Sequence, residues 1–276
     1  MTDDDGQMEA QPGDVWQPRY WLGSLRDCLM FLTGLPVPQR PDDEVQPLAR
    51  FVHGFPLAGA IIGLLSGLVL VAGAGIGLNT ALAATCAVLA SVLITGGLHE
   101  DGLADVADGF GGGNTPERKL EIMRDSRTGP YGVLALIFAV LLKVLALTAL
   151  LSASGGTWPA AMVLIGAAAL SRSFMALLMH SLPPARSSGR SAEAGRPSRQ
   201  GAHYALGMGL AVSLPVLWYS CGWWPALTAI LAGFAVYYII RRISSEQIEG
   251  QTGDVLGATQ LITEIAMLIA VSASLG

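Results

Sequence analysis

Between His99 and Asp108 the chain sets one histidine, one glutamate and three aspartates: His99-Glu100-Asp101-Gly102-Leu103-Ala104-Asp105-Val106-Ala107-Asp108. Glycines follow through Gly113. If the stretch is helical, Asp101, Asp105 and Asp108 fall at i, i+4 and i+7, on one face. Three carboxylates so close repel one another unless a cation lies between them. Oxygen-only donors at this density suit Mg²⁺, Mn²⁺ or Ca²⁺ rather than zinc. The spacing therefore predicts a divalent metal on Asp101, Asp105 and Asp108. The glycines from Gly109 to Gly113 are expected to end the helix and let a ligand approach the backbone. In a soluble protein the same run reads equally well as a solvated acidic loop. Here it lies between two apolar spans, where that reading loses weight.

Further along comes Glu121-Ile122-Met123-Arg124-Asp125-Ser126-Arg127-Thr128-Gly129-Pro130-Tyr131-Gly132. A helix starting near Pro116 would pair Arg118 with Glu121 and set Asp125 one turn beyond Glu121. Arg127, with Arg124 beside it, offers the planar fork that clamps phosphate oxygens, and membrane-flanking charge is the plainer alternative. A second polar element, Gly250-Gln251-Thr252-Gly253-Asp254, opens the last apolar run. A small, glycine-rich turn into a helix N-terminus favours anions, although Asp254 also suits a plain N-cap. Gln260 and Glu264 share a face, with Glu264 about 15 Å along the helix from Asp254. A glutamate at that depth demands a partner, and Arg172 and Lys143 are the candidates. Asp101, Asp105, Asp108, Asp125 and His99 are thus the candidates for catalysis, with an aspartate or His99 as the proton acceptor. Arg127, Arg124, Gly253, Asp254, Arg172 and Glu264 are the candidates for substrate binding.

These residues have to be held by membrane helices. Apolar residues make up 52% and charged residues 13% of the chain, and the mean hydropathy is +0.51. A soluble domain carries about 25% charge, so composition argues against one. Low-charge runs at 55–76, 80–98, 131–153, 158–181, 203–220, 223–240 and 254–275 each approach the ~20 residues that cross a hydrocarbon core. The fold expected is an all-α, polytopic bundle of about seven transmembrane helices. All but two of the 16 Lys and Arg residues fall in the N-terminal arm or in loops 99–130, 182–202 and 241–253. An excess of basic residues marks the cytoplasmic side, which sets the N-terminus and the acidic loop there. Trp158, Trp218, Tyr219, Trp223 and Trp224 fall at the opposite helix ends. Tyr20–Leu35 has the spacing of an interfacial helix that ends at Pro36 and Pro38. Residues 1–19 read as a disordered acidic tail and 20–276 as a single membrane domain with its loops at the active site. The arginines between Pro183 and Gly201 read first as topology determinants and second as contacts for an anion. Three scattered cysteines suggest neither a disulfide nor zinc.

Carboxylates for a divalent metal, arginines for phosphates and a bilayer together suggest phosphoryl transfer to a membrane-associated alcohol. Asp105-Val106-Ala107-Asp108-Gly109 resembles half of the CDP-alcohol phosphotransferase signature, whose second half is missing at its usual distance. A phospholipid synthase of that type is one alternative. An ion-coupled transporter using Glu264, Arg172 and the aspartates is another, but most of the acids sit at a rim and no internal repeat is visible.

Four blocks resemble the cobalamin synthase family, the adenosylcobinamide-GDP ribazoletransferases. They are Phe31-Leu32-Thr33-Gly34-Leu35-Pro36-Val37-Pro38, Gly97 to Gly109, Ile122 to Val133, and Thr252-Gly253-Asp254-Val255-Leu256-Gly257-Ala258. The similarity spans roughly residues 20–270 in the family's order. The chain departs from the family's pattern at Gln260, where an acid is expected, and at Glu249, where a glycine is expected. The resemblance implies a bacterial cytoplasmic-membrane enzyme of late vitamin B12 assembly that uses Mg²⁺. It would join adenosylcobinamide-GDP to α-ribazole, or its 5′-phosphate, and release GMP. The partners expected are those substrates, the lipid bilayer and other late corrinoid-assembly enzymes, with no nucleic acid.

Overall fold

The structure, a computed structural model, describes residues 18–38, 47–153, 155–186 and 194–276. Most of the acidic tail, and Arg190 in the loop after Pro183, lie outside the described residues. The architecture is all-helical, as composition predicted. In chain order the helices are α1 (Pro18–Leu32), α2 (Phe55–Gly75), α3 (Thr80–Thr95), α4 (Leu98–Gly112), α5 (Pro116–Ile122), α6 (Pro130–Ala153), α7 (Thr157–Ser181), α8 (Arg199–Cys221), α9 (Trp223–Ile248) and α10 (Gly253–Leu275). Six of them (α2, α6, α7, α8, α9 and α10) are long and apolar enough to cross a membrane. A seventh crossing requires α3 and α4 together, and these meet at 88°.

The centre of the bundle is α7, of which 83% of the apolar window is buried, followed by α10 at 72%. A bilayer gives no hydrophobic drive between helices, so small residues that let backbones approach hold them together. Along α7 these are Ala160, Ala161, Ala167, Ala168, Ala169 and Ala176, all buried. Across from them α2 presents Gly59, Gly63 and Gly67. A Cβ on Gly63 would come within 2.8 Å of the Leu164 carbonyl oxygen. Pro215 sits inside α8 without ending it.

Helix α1 packs against the start of the first span. It ends at Leu32, ahead of Pro36 as expected, and buries Cys28 and Leu32 while Leu22 stays 65% exposed. Ser24 joins it to His53 by a 2.6 Å hydrogen bond.

Two boundaries differ from the sequence expectation. The second span ends at Thr95, not Leu98, because Gly96 (φ 62°) and Gly97 (φ 72°) both take the left-handed conformation that glycine adopts freely. Sixteen residues reach only about 24 Å, short of a ~30 Å core. The sixth apolar run continues to Ile248, its extra turns carrying the Arg242–Glu246 pair at 2.8 Å. Helix α4 ends at Gly112, within the Gly109–Gly113 run expected to end it.

Candidate active site

The double-glycine break turns α4 across the end of the bundle, against α10 and α6. That crossing is intimate at Gly102, where a Cβ would meet the Asp254 carbonyl oxygen at 2.7 Å. Only glycine lets the two backbones approach so closely, and the contact brings Asp254 to the aspartates of α4. Burial pushes the Asp105 carboxyl up to about 7, with Asp254, Asp101 and Asp108 adding to it in that order and Arg186 opposing. Four carboxylates from two helices therefore share one neighbourhood, with Asp101 exposed, Asp105 half-buried and Asp108 buried. Asp254 is not the N-cap of α10. Thr252 is, accepting the Val255 N–H at 3.3 Å and donating its hydroxyl to Asp254 Oδ2 at 3.2 Å.

The structure gives Asp108 a different task from its neighbours. Its Oδ2 accepts the Gly129 N–H at 2.6 Å and its Oδ1 accepts the Gly132 N–H at 2.9 Å, so it caps the start of α6. Among the described residues, no three acidic, His or Cys side chains close on a shared point that could hold a metal. That does not disqualify Mg²⁺, which is usually held by one or two carboxylates together with substrate phosphates rather than by an all-protein cage. Asp105 with Asp101 or Asp254 offers such a donor set, all oxygen and carrying excess negative charge.

Asp101 also lines an open cleft of about 650 Å³ between the end of α1 (Phe31, Thr33 and Gly34), the Gly96–Gly97 break and Thr128 and Leu136 at α6. Two of the blocks singled out in the sequence, Phe31–Pro38 and Gly97–Gly109, therefore face each other across it. The Gly34 N–H donates to the Ile94 carbonyl at 2.8 Å, which fixes that facing.

Asp125 lies past the C-terminus of α5, not on it as the spacing predicted, whereas Arg118 and Glu121 pair at 2.6 Å as expected. Arg127 closes its fork on Asp125, Nη2 to Oδ2 at 2.7 Å and Nε to Oδ1 at 3.1 Å. These hydrogen bonds hold the Asp125 carboxyl down at about 2. The pair is exposed, with 86% of the Arg127 side chain in the open. Arg124 is exposed as well.

The remaining candidates occupy a separate chamber inside the bundle. Glu264 receives Lys143 Nζ at 2.8 Å and Arg172 Nη1 at 3.7 Å, so both proposed partners are used. Gln260, where an acid was expected, donates its amide to Glu264 and to Ser171 Oγ at 3.1 Å. His99 is 2% exposed and lines this chamber with Glu100, not the open cleft. His99 Nε2, Glu100 Oε2 and Arg172 Nε are buried there without hydrogen-bond partners. The cavity they border is about 10 Å³, room for a single water.

Two contributors have a different weight from the one the sequence suggests. Asp254 was assigned to an anion site, although its own charge makes it a fourth carboxylate of the cluster. Arg186 reads first as a topology determinant and only second as an anion contact, yet it stands near the Asp105 carboxylate. The signal for it was local: Pro183-Pro184 stops α7 and turns the chain directly back toward the rim.

The comparisons bear on the same blocks. The family model described as cobalamin-5-phosphate synthase matches residues 24–272. An adenosylcobinamide-GDP ribazoletransferase of Azorhizobium caulinodans is 45% identical, covering 91% of this chain and 95% of its own length. Proteins of the same name from Allorhizobium ampelinum (41% identical, 92% of this chain and 98% of the relative) and Mesorhizobium japonicum (39%, 96% and 98%) are also similar. No solved structure matches. A match across nearly the whole length, cleft and carboxylates included, places the chain in the cobalamin-5-phosphate synthase family.

Proposed function

We propose that the chain joins adenosylcobinamide-GDP to α-ribazole, or to its 5′-phosphate, releasing GMP and giving adenosylcobalamin or its phosphate. The observation that carries the reading is the approach of Asp254 to Asp105 near Arg186, on the helix whose Asp101 lines the open cleft. Excess carboxylate next to arginine is an arrangement suited to a metal-bound diphosphate. Asp105, with Asp101 or Asp254, would hold Mg²⁺. When bound, the ion would neutralise charge on the diphosphate oxygens.

The reaction breaks one bond and forms one. The ribazole hydroxyl oxygen attacks the phosphorus nearer the cobinamide, the bond from that phosphorus to the bridging oxygen breaks, and GMP leaves. Positioning and charge stabilisation supply most of the catalysis in such transfers. The hydroxyl proton passes to a carboxylate of the cluster. His99 is enclosed behind α4 and faces Lys143 and Arg172, which suits it to fixing that helix. The cleft is the place for the body of the larger substrate, because it is open and has an apolar flank at Phe31 and Leu98. The protein is a multi-pass membrane protein. We place it in the bacterial cytoplasmic membrane with the N-terminus and the carboxylate rim facing the cytoplasm, on the one-sided Lys and Arg distribution.

The test is an assay of the purified full chain in lipid with both substrates and Mg²⁺, following GMP and the corrinoid product. GMP release that requires the ribazole supports transfer. GMP appearing equally fast without it would mean hydrolysis and sink the reading.

A further inference from the structure

Arg186 is held in an unusual way. The chain leaves α7 through Pro183-Pro184 and is strapped to the segment before α10: the Ala185 N–H donates to the Gln251 carbonyl at 2.9 Å, and the Gln251 N–H donates to the Pro183 carbonyl at 2.9 Å. This two-stranded bridge delivers Arg186 to the carboxylate rim. Its Nη2 donates to the Leu120 carbonyl on α5 at 2.9 Å, which sets the plane of the guanidinium. Its Nε is buried with no partner.

A guanidinium carries five N–H donors, and an enclosed one without an acceptor costs free energy until something fills the position. The neighbours say what would. Arg124 lies near enough to Arg186 that, after burial, it is the main influence weakening the Arg186 cation, while Asp254 and Asp105 support it. Two arginines set against each other beside four aspartates form two like-charged groups side by side. Each is destabilised alone, and both are relieved by one ligand with anionic oxygens on one edge and a cation on the other.

We propose that Arg186, with Arg124, forms the phosphate-binding edge of the site and takes non-bridging oxygens of the substrate diphosphate. Arg127, the arginine that the sequence singled out, has its fork committed to Asp125 and faces solvent. The assignment rests on the transferase reading above and names the residues that would hold its substrate.

The test uses the full chain in lipid nanodiscs, comparing wild type with Arg186→Gln, Arg186→Lys, Arg124→Gln and Arg127→Gln. Losing a charge-assisted bond should raise KM for adenosylcobinamide-GDP about 30-fold in Arg186→Gln. The KM for α-ribazole should stay within about threefold, since a selective loss of one substrate marks binding and not general damage. Arg186→Lys keeps the charge and should recover part of the loss, and Arg127→Gln should change the same KM less than about threefold. Equal effects on both substrates, or a larger effect from Arg127→Gln, would overturn the assignment. If Arg186→Gln does not fold, Arg124→Gln carries the same expectation. If wild type shows no ribazole-dependent GMP release, the transferase reading fails on its own. Calorimetric binding of inorganic pyrophosphate with Mg²⁺ then decides the clamp separately: a loss of about 30-fold in Arg186→Gln upholds it, and unchanged binding rejects it.

Discussion

Asp108 on α4 accepts two backbone N–H groups at the start of α6, from Gly129 at 2.6 Å and from Gly132 at 2.9 Å. One side chain thereby ties the carboxylate helix to the entrance of a membrane span and satisfies two donors that α6 cannot satisfy itself. Its neighbour Asp105, one turn earlier on the same helix, makes no such bond and meets other carboxylates instead.

The two aspartates should therefore separate under the same substitution. Asp108→Asn replaces an acceptor oxygen by an NH₂ opposite a backbone N–H and should cost about 1–2 kcal/mol of stability, seen as a lower unfolding midpoint in detergent. Asp105→Asn should leave the midpoint unchanged or raised while turnover is lost. Near-normal turnover in the Asp105 variant would contradict its place at the reacting phosphates.

The pH dependence follows from the sign of the Asp105 shift. Its folded value of about 7 lies above the ordinary 3.8, so the folded protein binds the proton more tightly than the unfolded chain does. Stability of the metal-free protein should be highest below pH ~4 as far as this group is concerned, and decline as pH rises to about 7. Asp105→Asn should flatten that decline. Adding Mg²⁺ above pH ~7 should raise the wild-type midpoint, because an ion that binds only the folded state stabilises it. A chelator should reverse the gain.

Within the bundle, Glu264 faces two cations, Lys143 at 2.8 Å and Arg172 at 3.7 Å. Glu264→Gln removes the shared anion and should cost about 3–5 kcal/mol, read as lost expression or a much lower midpoint. Lys143→Met should be milder, since Glu264 keeps Arg172. Equal damage from the two would show that the pair with Lys143 dominates.

Glu249 ends α9 at φ 56°, the left-handed region that an L side chain enters at a cost. Glu249→Gly should stabilise by about 1 kcal/mol, raising the midpoint by about 2 °C. Activity should be unchanged, because the side chain is exposed.

Orientation can be read by labelling. With Cys28, Cys86 and Cys221 replaced by serine, Asn114→Cys lies just past α4 at the carboxylate rim. It should resist an impermeant maleimide in intact cells and react after permeabilisation. Efficient labelling from outside would invert the topology.

The sequence by itself determined the class of fold, most of the spans within a few residues and the family to which the chain belongs. Each of these depends on local quantities: runs of apolar residues long enough to cross a bilayer, carboxylates spaced by one and two helical turns, and four blocks in a family's order. The glycine expected at 249 came from the family resemblance alone, and the structure supplies its reason, a left-handed backbone angle at the end of α9. Glu264 and its two cations were legible too, because an acid at that depth must be paired.

Tertiary structure alone decided which of these residues meet. Asp101, Asp105 and Asp108 look equivalent on a helical wheel, yet the path of α6 spends Asp108 on two amides, and no local pattern reports that. Asp254 joins the cluster because α4 crosses α10 at Gly102, after a right-angle turn at Gly96–Gly97. His99 and Asp101 are two residues apart but face opposite sides of α4, one toward the enclosed chamber and the other toward the cleft. Arg186 and Arg127 differ in how the chain delivers them, one strapped beside α10 and the other on an open turn. Charge and spacing are properties of a segment, whereas the neighbour a side chain finds depends on the crossing of helices far apart in sequence.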